Sequence, residues 1–350
     1  MKTLTKLALT GVASAIILAG CSNDEPAATA AAAEESSSFR PAVVYDVAGK
    51  FDKSFNEAVF RNGVETFVAD KGVAVREFTP DNESQREQAI RRLAQDGHSP
   101  IVTVGFNFGS AVEAVAADFP DTQFAIIDSV VDAPNVQSLV FQEHEGSFLV
   151  GALAAMVSET STIGFVGGMD IPLIRKFACG YEQGAKYVNE NINVLQNMTG
   201  STPTAFNDPV RGGELANSQI SQGADVIYAA AGGTGLGVYQ TAADNEIYAI
   251  GVDSNQNYLQ PGTMLTSMEK RVGTAAYTSW EQSMMGNWEA GVQVFGIAEN
   301  GVDWSLDEFN RDLISADLET AVNDIRSKIV SGEIQVYDYM QNGDCNYAAM

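Results

Sequence analysis

Residues 42–56 read Ala42-Val43-Val44-Tyr45-Asp46-Val47-Ala48-Gly49-Lys50-Phe51-Asp52-Lys53-Ser54-Phe55-Asn56: an apolar run ending in aspartate, a loop, and the first turn of a helix. A short apolar run followed by an amphipathic stretch at 54–71 opens a β-α unit whose strand is covered on both faces. The rhythm recurs. Strands are predicted at 73–78, 101–104, 124–128 and 136–140, with helices at 84–97 and 109–118 between them. A helix rich in Gly and Ala at 146–158 follows, and then the same rhythm restarts at 162–168. Helix 174–191, strand 193–199, helix 209–222, strand 225–231, helix 235–245 and strand 247–253 complete the second series. A strand at 263–268, a helical segment at 272–294, a strand-like stretch at 301–306 and a helix at 316–332 finish the chain. Short apolar runs alternating with helices predict an α/β fold of two doubly wound parallel-sheet lobes joined by a hinge.

Upstream of this body the sequence changes character. Lys2 and Lys6 precede an apolar stretch at 7–18, which closes on Leu18-Ala19-Gly20-Cys21. A basic start, an apolar segment shorter than the ~20 residues a membrane span needs, and small residues before one cysteine mark a lipoprotein signal peptide at 1–20. Cys21 is then the expected lipidated N-terminus. Residues 21–39, with a run of alanines, Ser36-Ser37-Ser38 and a single Pro26, read as a disordered tether with a reach of roughly 20–25 Å.

The full sequence carries 20 Lys and Arg against 45 Asp and Glu, a net charge of −25, and loss of Lys2 and Lys6 with the leader makes the mature chain more acidic still. Affinity for polyanions rests on Lys and Arg releasing counterions, so nucleic acid is excluded as a partner class. Beyond Cys21 only Cys179 and Cys345 remain, and the sequence leaves their pairing open. His98 and His144 are the only histidines, and neither a CxxC nor an HxxxH occurs, so no metal site and no cofactor is expected. With no arguable Ser/His/Asp set, catalysis would fall to carboxylates or lysine.

In open parallel sheets, ligands sit outside the carboxyl ends of the strands. Three predicted strands end there in aspartate: Asp46, Asp128 and Asp253. A carboxylate so placed can accept hydrogen bonds from hydroxyls or N–H groups, or cap the following turn. Phe55, in the first turn of a helix, can stack on a planar ligand or pack in the core. Phe206 offers a second ring from the other lobe. Gly232 and Gly233, in Gly232-Gly233-Thr234-Gly235-Leu236-Gly237, permit close approach of backbone to a ligand, but no basic residue stands beside them to balance a phosphate.

Several pieces, in this order, resemble the basic membrane protein family of bacterial lipoproteins, the purine nucleoside receptor-type binding proteins. They are Asp52-Lys53-Ser54-Phe55-Asn56, Phe124-Ala125-Ile126-Ile127-Asp128, Gly167-Gly168-Met169 with Ile171-Pro172-Leu173, Ala231-Gly232-Gly233-Thr234-Gly235, and Gly251-Val252-Asp253-Ser254. The resemblance covers nearly all of 41–340. It implies a type I periplasmic binding protein fold with a three-stranded hinge and delivery of a nucleoside to an ABC permease. It also implies Asp46 and Asp128 as polar contacts of the first lobe, Phe55 as one face of a stacking sandwich, Asp253 on the ribose hydroxyls, and Lys270 near the hinge. Phe206 is implied as the opposing ring, with Gly232 and Gly233 as backbone contacts. The expected division is 40–142 with 271–298 as N-terminal lobe and 143–270 with 299–350 as C-terminal lobe. A monomer outside the cytoplasmic membrane, anchored through Cys21, is expected. Other readings of the residues stay open here: a receptor for another solute such as a sugar, a nucleoside hydrolase, or a lipoprotein of adhesion or sensing.

Overall fold

The computed structural model describes residues 39–345. The signal peptide, Cys21 and nearly all of the tether lie outside them. Two six-stranded sheets account for the fold. The first contains β1 (Ala42–Val44), β2 (Arg76–Phe78), β3 (Ile101–Thr103), β4 (Phe124–Ile127) and β5 (Val136–Phe141). The second contains β6 (Thr162–Met169), β7 (Asn193–Gly200), β8 (Val226–Ala230), β9 (Tyr248–Asp253) and β10 (Met264–Lys270). Each sheet gains one late strand, β11 (Gly291–Phe295) beside β5 and β12 (Val302–Trp304) beside β10. The spatial orders, β2-β1-β3-β4-β5-β11 and β7-β6-β8-β9-β10-β12, are the same order displaced by one series. All pairings are parallel except β12 on β10.

The chain passes between the sheets after β5, after β10 and between β11 and β12. Burial follows from parallel pairing: every residue of β1, β3, β4 and β8 is buried, as strands sandwiched between helix layers must be. Among the described residues no helix is long and apolar enough to cross a membrane.

The structure differs from the sequence reading at 272–294. The helix there ends at Met285, where Gly286 takes the left-handed conformation at φ 76°, and the chain resumes as β11 in register with Val136–Phe141 of β5. Glycine ends a helix in this way because it has no Cβ to clash at positive φ. Residues 54–71 are helical as expected, but Val59–Glu65 is wound as π-helix between two α-helical pieces, Phe55–Ala58 and Thr66–Lys71.

The helix predicted at 146–158 is Glu143–Val157, and it packs on Pro172–Val188 through glycines. A Cβ added at Gly151, Gly180 or Gly184 would run into the carbonyl oxygen of Tyr181, His144 or Phe148 respectively. Gly184→Ala therefore makes a test by sign. Helix propensity favours alanine by about 1 kcal/mol. The backbone clash is expected to reverse this and leave the variant less stable by roughly 1–3 kcal/mol in urea denaturation. A stabilised variant would mean that the two helices separate freely.

Cys179 on the second of these helices is disulfide-bonded to Cys345, their Cα atoms 5.5 Å apart, which ties the C-terminal segment down and answers what the sequence left open.

Candidate functional site

The carboxyl ends of both sheets face one cleft of about 710 Å³, counted to its open mouth. From the first lobe come Asp46 and Phe55 beyond β1, Gly105 and Phe106 beyond β3, and Asp128 beyond β4. From the second come Phe206 beyond β7, Gly232 beyond β8, Asp253 at the end of β9 and Lys270 at the end of β10. Asp128 and Asp253 both adopt left-handed backbone, φ 68° and 65°, so two equivalent strands deliver their carboxylates by the same turn. Aspartate tolerates that region better than most residues because its short polar side chain bonds locally.

Every residue singled out from the sequence lines this cleft except Gly233. Gly233 is buried behind Gly232, and a Cβ there would lie 3.4 Å from Asn207 Oδ1 and 3.9 Å from the Asp52 carbonyl oxygen. Gly232, at φ 55°, reaches the cleft itself. Gly168 serves the cleft indirectly, because a Cβ there would strike the Phe206 ring and its bare backbone makes room for that ring. The Phe206 ring stands edge-on to Phe106, centroids 6.4 Å apart, across the seam between the lobes.

The sequence reading did not select Phe106 or Phe177. Phe106 starts the helical turn after β3, a position the strand-end rule covers, but its apolar neighbour Phe108 turns into the core and gives no contrast. Phe177 lies on a helix whose buried face reads as ordinary core.

The loop after β1 is built by Asp52. Its carboxylate accepts from the backbone N–H of Ser54 (2.9 Å), Asn56 (2.9 Å) and Glu57 (3.0 Å), and from Asn56 Nδ2 (3.0 Å). This satisfies the free donors that start the helix and fixes Phe55. Asp46 is held by Arg86 Nη2 at 2.9 Å, by the Val47 N–H at 2.8 Å and by Asn107 Nδ2 at 3.2 Å. Beside them the lobes meet directly: Ser54 Oγ donates to Asp253 Oδ2 (2.7 Å), Ser254 Oγ to the Ser54 carbonyl (2.8 Å), and Gln256 Nε2 to the Lys53 carbonyl (2.8 Å).

Lys270 is the one cation among the lining residues. Its ammonium lies 2.6 Å from Asp128 Oδ2 and 2.8 Å from Glu143 Oε1, with Lys176 Nζ 3.0 Å from the other Glu143 oxygen. The rings of Phe141, Phe55 and Phe177 surround it at 5.1, 5.3 and 5.5 Å. Asp128 lines the cleft, and its Oδ1 is buried without a hydrogen-bond partner among the described residues.

The cluster holds three carboxylates, Asp128, Glu143 and Asp253, against two ammonium groups, so full ionisation leaves one buried negative charge in excess. Protons are retained accordingly. Burial raises Asp253 to about 7 against the pull of Lys270 and the Ser54 hydroxyl. Burial also raises Asp128 to about 6, with Lys270 opposing and Glu143 adding to it. For Glu143 burial is outweighed by Lys176 and Lys270, which hold it at about 2. Lys270 is raised above its ordinary value because Asp128, Glu143 and Asp253 outweigh its burial. Four carboxylates with one lysine disfavour an anionic ligand, and the rings favour a planar apolar face. Among the described residues no group of His, Cys, Asp and Glu is placed to hold a metal ion.

Comparison with known proteins agrees with this geometry. A family model described as "ABC transporter substrate-binding protein PnrA-like" matches residues 39–339. The chain is 30% identical over 358 residues, 96% of its length and 99% of the other's, to a Lactococcus lactis protein described as an ABC transporter nucleoside-binding protein, BmpA. It is 31% identical over 340 residues, 87% of its length and 84% of the other's, to an uncharacterized lipoprotein of Pyrococcus furiosus. The crystal structure of an ABC transporter solute-binding protein from Aeropyrum pernix superposes with a TM-score of 0.77 at 28% identity, covering 86% of this chain and 93% of that one. A two-lobed α/β fold whose strand ends converge on one ring-lined cleft, matched along almost its whole body, belongs to the Bmp family of PnrA-like substrate-binding proteins of ABC transporters, which capture solutes and are not enzymes.

Proposed function

We propose that the protein captures a purine nucleoside between its lobes and delivers it to an ABC permease. The observation that carries this reading is the composition of the cleft: Phe55, Phe106, Phe177 and Phe206 around the strand-end carboxylates Asp128 and Asp253. Rings suit a flat, neutral base, with about 0.5–1.5 kcal/mol for an aromatic pair beyond area burial. Ionised carboxylates suit vicinal hydroxyls and base N–H groups, at about 1.5–3 kcal/mol per charge-assisted bond. In this reading Phe55 and Phe206 flank the base, Asp253 takes the ribose hydroxyls, Asp46, Asp128 and Lys270 supply the remaining polar contacts, and Gly232 allows the backbone to approach, with Gly233 packed behind it. The Lactococcus relative's description supports it.

The lobes, 40–142 with 271–298 and 143–270 with 299–350, close around the ligand as rigid bodies, and the Ser54–Asp253 contact belongs to the closed form. The lipoprotein relatives support an anchor at Cys21 with the folded body outside the cytoplasmic membrane.

Thermal shifts test the ligand class, since a ligand that binds only the folded state adds RT ln(1 + [L]/Kd) to stability. Inosine, guanosine or adenosine is expected to raise Tm, while their 5′-monophosphates raise it far less because of the cleft's carboxylates. Equal shifts from nucleotides would defeat the charge argument, and a shift from sugars alone would replace the ligand.

A further inference from the structure

Five charged side chains run through the hinge in alternating sign. Asp128 meets Lys270 at 2.6 Å, Lys270 meets Glu143 at 2.8 Å, Glu143 meets Lys176 at 3.0 Å, and Lys176 lies 4.0 Å from Asp338. Only the first two line the cleft. Glu143 stands where the chain first passes from one sheet to the other, in the first turn of helix Glu143–Val157, and its side chain is 1% exposed. Lys270 ends β10 at the second passage and is equally buried. Lys176 also donates to the Phe141 carbonyl at 2.6 Å, at the end of β5, and so binds the second lobe's helix to the first lobe's last strand before the crossing. Lys270 and Glu143 are each 1% exposed and Asp128 6%, so solvent does little to screen a change in a neighbour's charge there.

We infer that Glu143 and Lys176 are positioning residues for the cleft: the pair holds the Lys270 ammonium beside Asp128 and sets the pH above which the Asp128 carboxylate is ionised and binds. The inference rests on the proposed reading of Asp128 and Asp253 as ligand acceptors. Its physical content is charge balance. Glu143 shares Lys270 with Asp128, so each carboxylate weakens the other's hold on the proton-free state, while Lys176 partly neutralises Glu143 and relieves Asp128. The other charged and titratable groups facing the row are Asp253 across the cleft, Asp52 beside Asp253, His144 beside Lys176, and Tyr228 toward Glu143 and Asp253, its phenol kept neutral by burial. His144 stays neutral above about pH 4 because of its burial and Lys176, so it does not disturb the balance near neutrality.

Removing a charge from either end of the pair moves the cleft in opposite directions. The test is inosine affinity by calorimetry from about pH 5 to 8.5, together with ¹³C NMR titration of aspartate carboxyls in the ligand-free protein. In the wild type, affinity is expected to fall as pH drops below about 7, where Asp253 and then Asp128 take up protons. Glu143→Gln should move the Asp128 midpoint, and the lower-pH part of the affinity profile with it, down by about one pH unit, and Lys176→Met should move it up by about one, since a nearby charge shifts a carboxyl by about that much or more. Lys176→Arg, which keeps the charge, should stay near the wild type. A merely structural pair would lower stability in both variants and leave the midpoints alone. Midpoints that shift in the same direction, or not at all in folded Glu143→Gln, overturn the inference. If inosine does not bind the wild type, the nucleoside reading fails, and the carboxyl titrations still decide this one by their opposite shifts.

Discussion

Asp253→Ala is expected to weaken inosine binding by roughly 100-fold or more, the loss of two charge-assisted hydrogen bonds at about 1.5–3 kcal/mol each. Free-protein stability should not fall in parallel. The folded-state pKa of Asp253 is raised to about 7 from an ordinary value of 3.8, so between those values the folded protein binds more protons than the unfolded one. Stability attributable to this group therefore declines as pH rises through that window, and at pH 8 the buried, ionised carboxylate is a cost to the fold. Asp253→Asn removes the charge while tolerating φ 65°, so it should melt at or above the wild-type temperature at pH 8 and still bind more weakly. Alanine, strained at that φ, should melt slightly lower.

Comparing inosine with 2′-deoxyinosine separates a ribose contact from a general effect. The wild type should discriminate between them, and Asp253→Ala should not. Affinity within threefold of wild type in Asp253→Ala would sink the assignment. A loss of many degrees in Asp253→Asn would mark the residue as structural. A group that costs the free protein stability and is repaid only by the ligand is what a binding site accumulates.

Why Asp253 was legible while Phe106 was not shows how far periodicity reaches. Asp46, Asp128 and Asp253 each close an apolar run, and in a parallel sheet every run ends on the ligand edge, so a local pattern places them. Phe177 is placed by helix Pro172–Val188 packing on helix Glu143–Val157 so that its first turns reach the cleft, a relation no local window contains. Strand β11 is hidden for the same reason. Gly291–Phe295 pairs with Gln137–Phe141, 154 residues earlier, and only the positive φ available to Gly286 hints that the preceding helix stops. Glu143 falls outside the helix predicted at 146–158, and the structure places it in that helix's first turn, where the helix dipole favours it. Its contact with Lys176 and Lys270 requires three segments distant in sequence to meet at the hinge.

Lys270→Met should be the most destabilising single change near the cleft. It leaves Asp128 and Glu143 buried without the ammonium they share, and breaking a buried ion pair from one side costs about 3–5 kcal/mol. For a folded body of about 310 residues that corresponds to a Tm lower by roughly 5–8 °C at pH 8. The pH dependence gives the cause. Without Lys270 the Asp128 carboxyl is raised further by burial and by Glu143, so the folded state takes up protons as pH falls and regains stability relative to the wild type. The deficit should therefore narrow from pH 8 toward pH 5, where a simple packing loss would stay constant. A melting difference that is small, or unchanged across that range, would mean that Lys270 is held by its ring neighbours Phe55, Phe141 and Phe177 rather than by charge. Buried pairs of this kind are seldom the most stable solution, since apolar replacements of the whole set are often neutral or better. Their retention at a hinge, with Asp128 and Lys270 both lining the cleft, is better accounted for by ligand recognition than by stability.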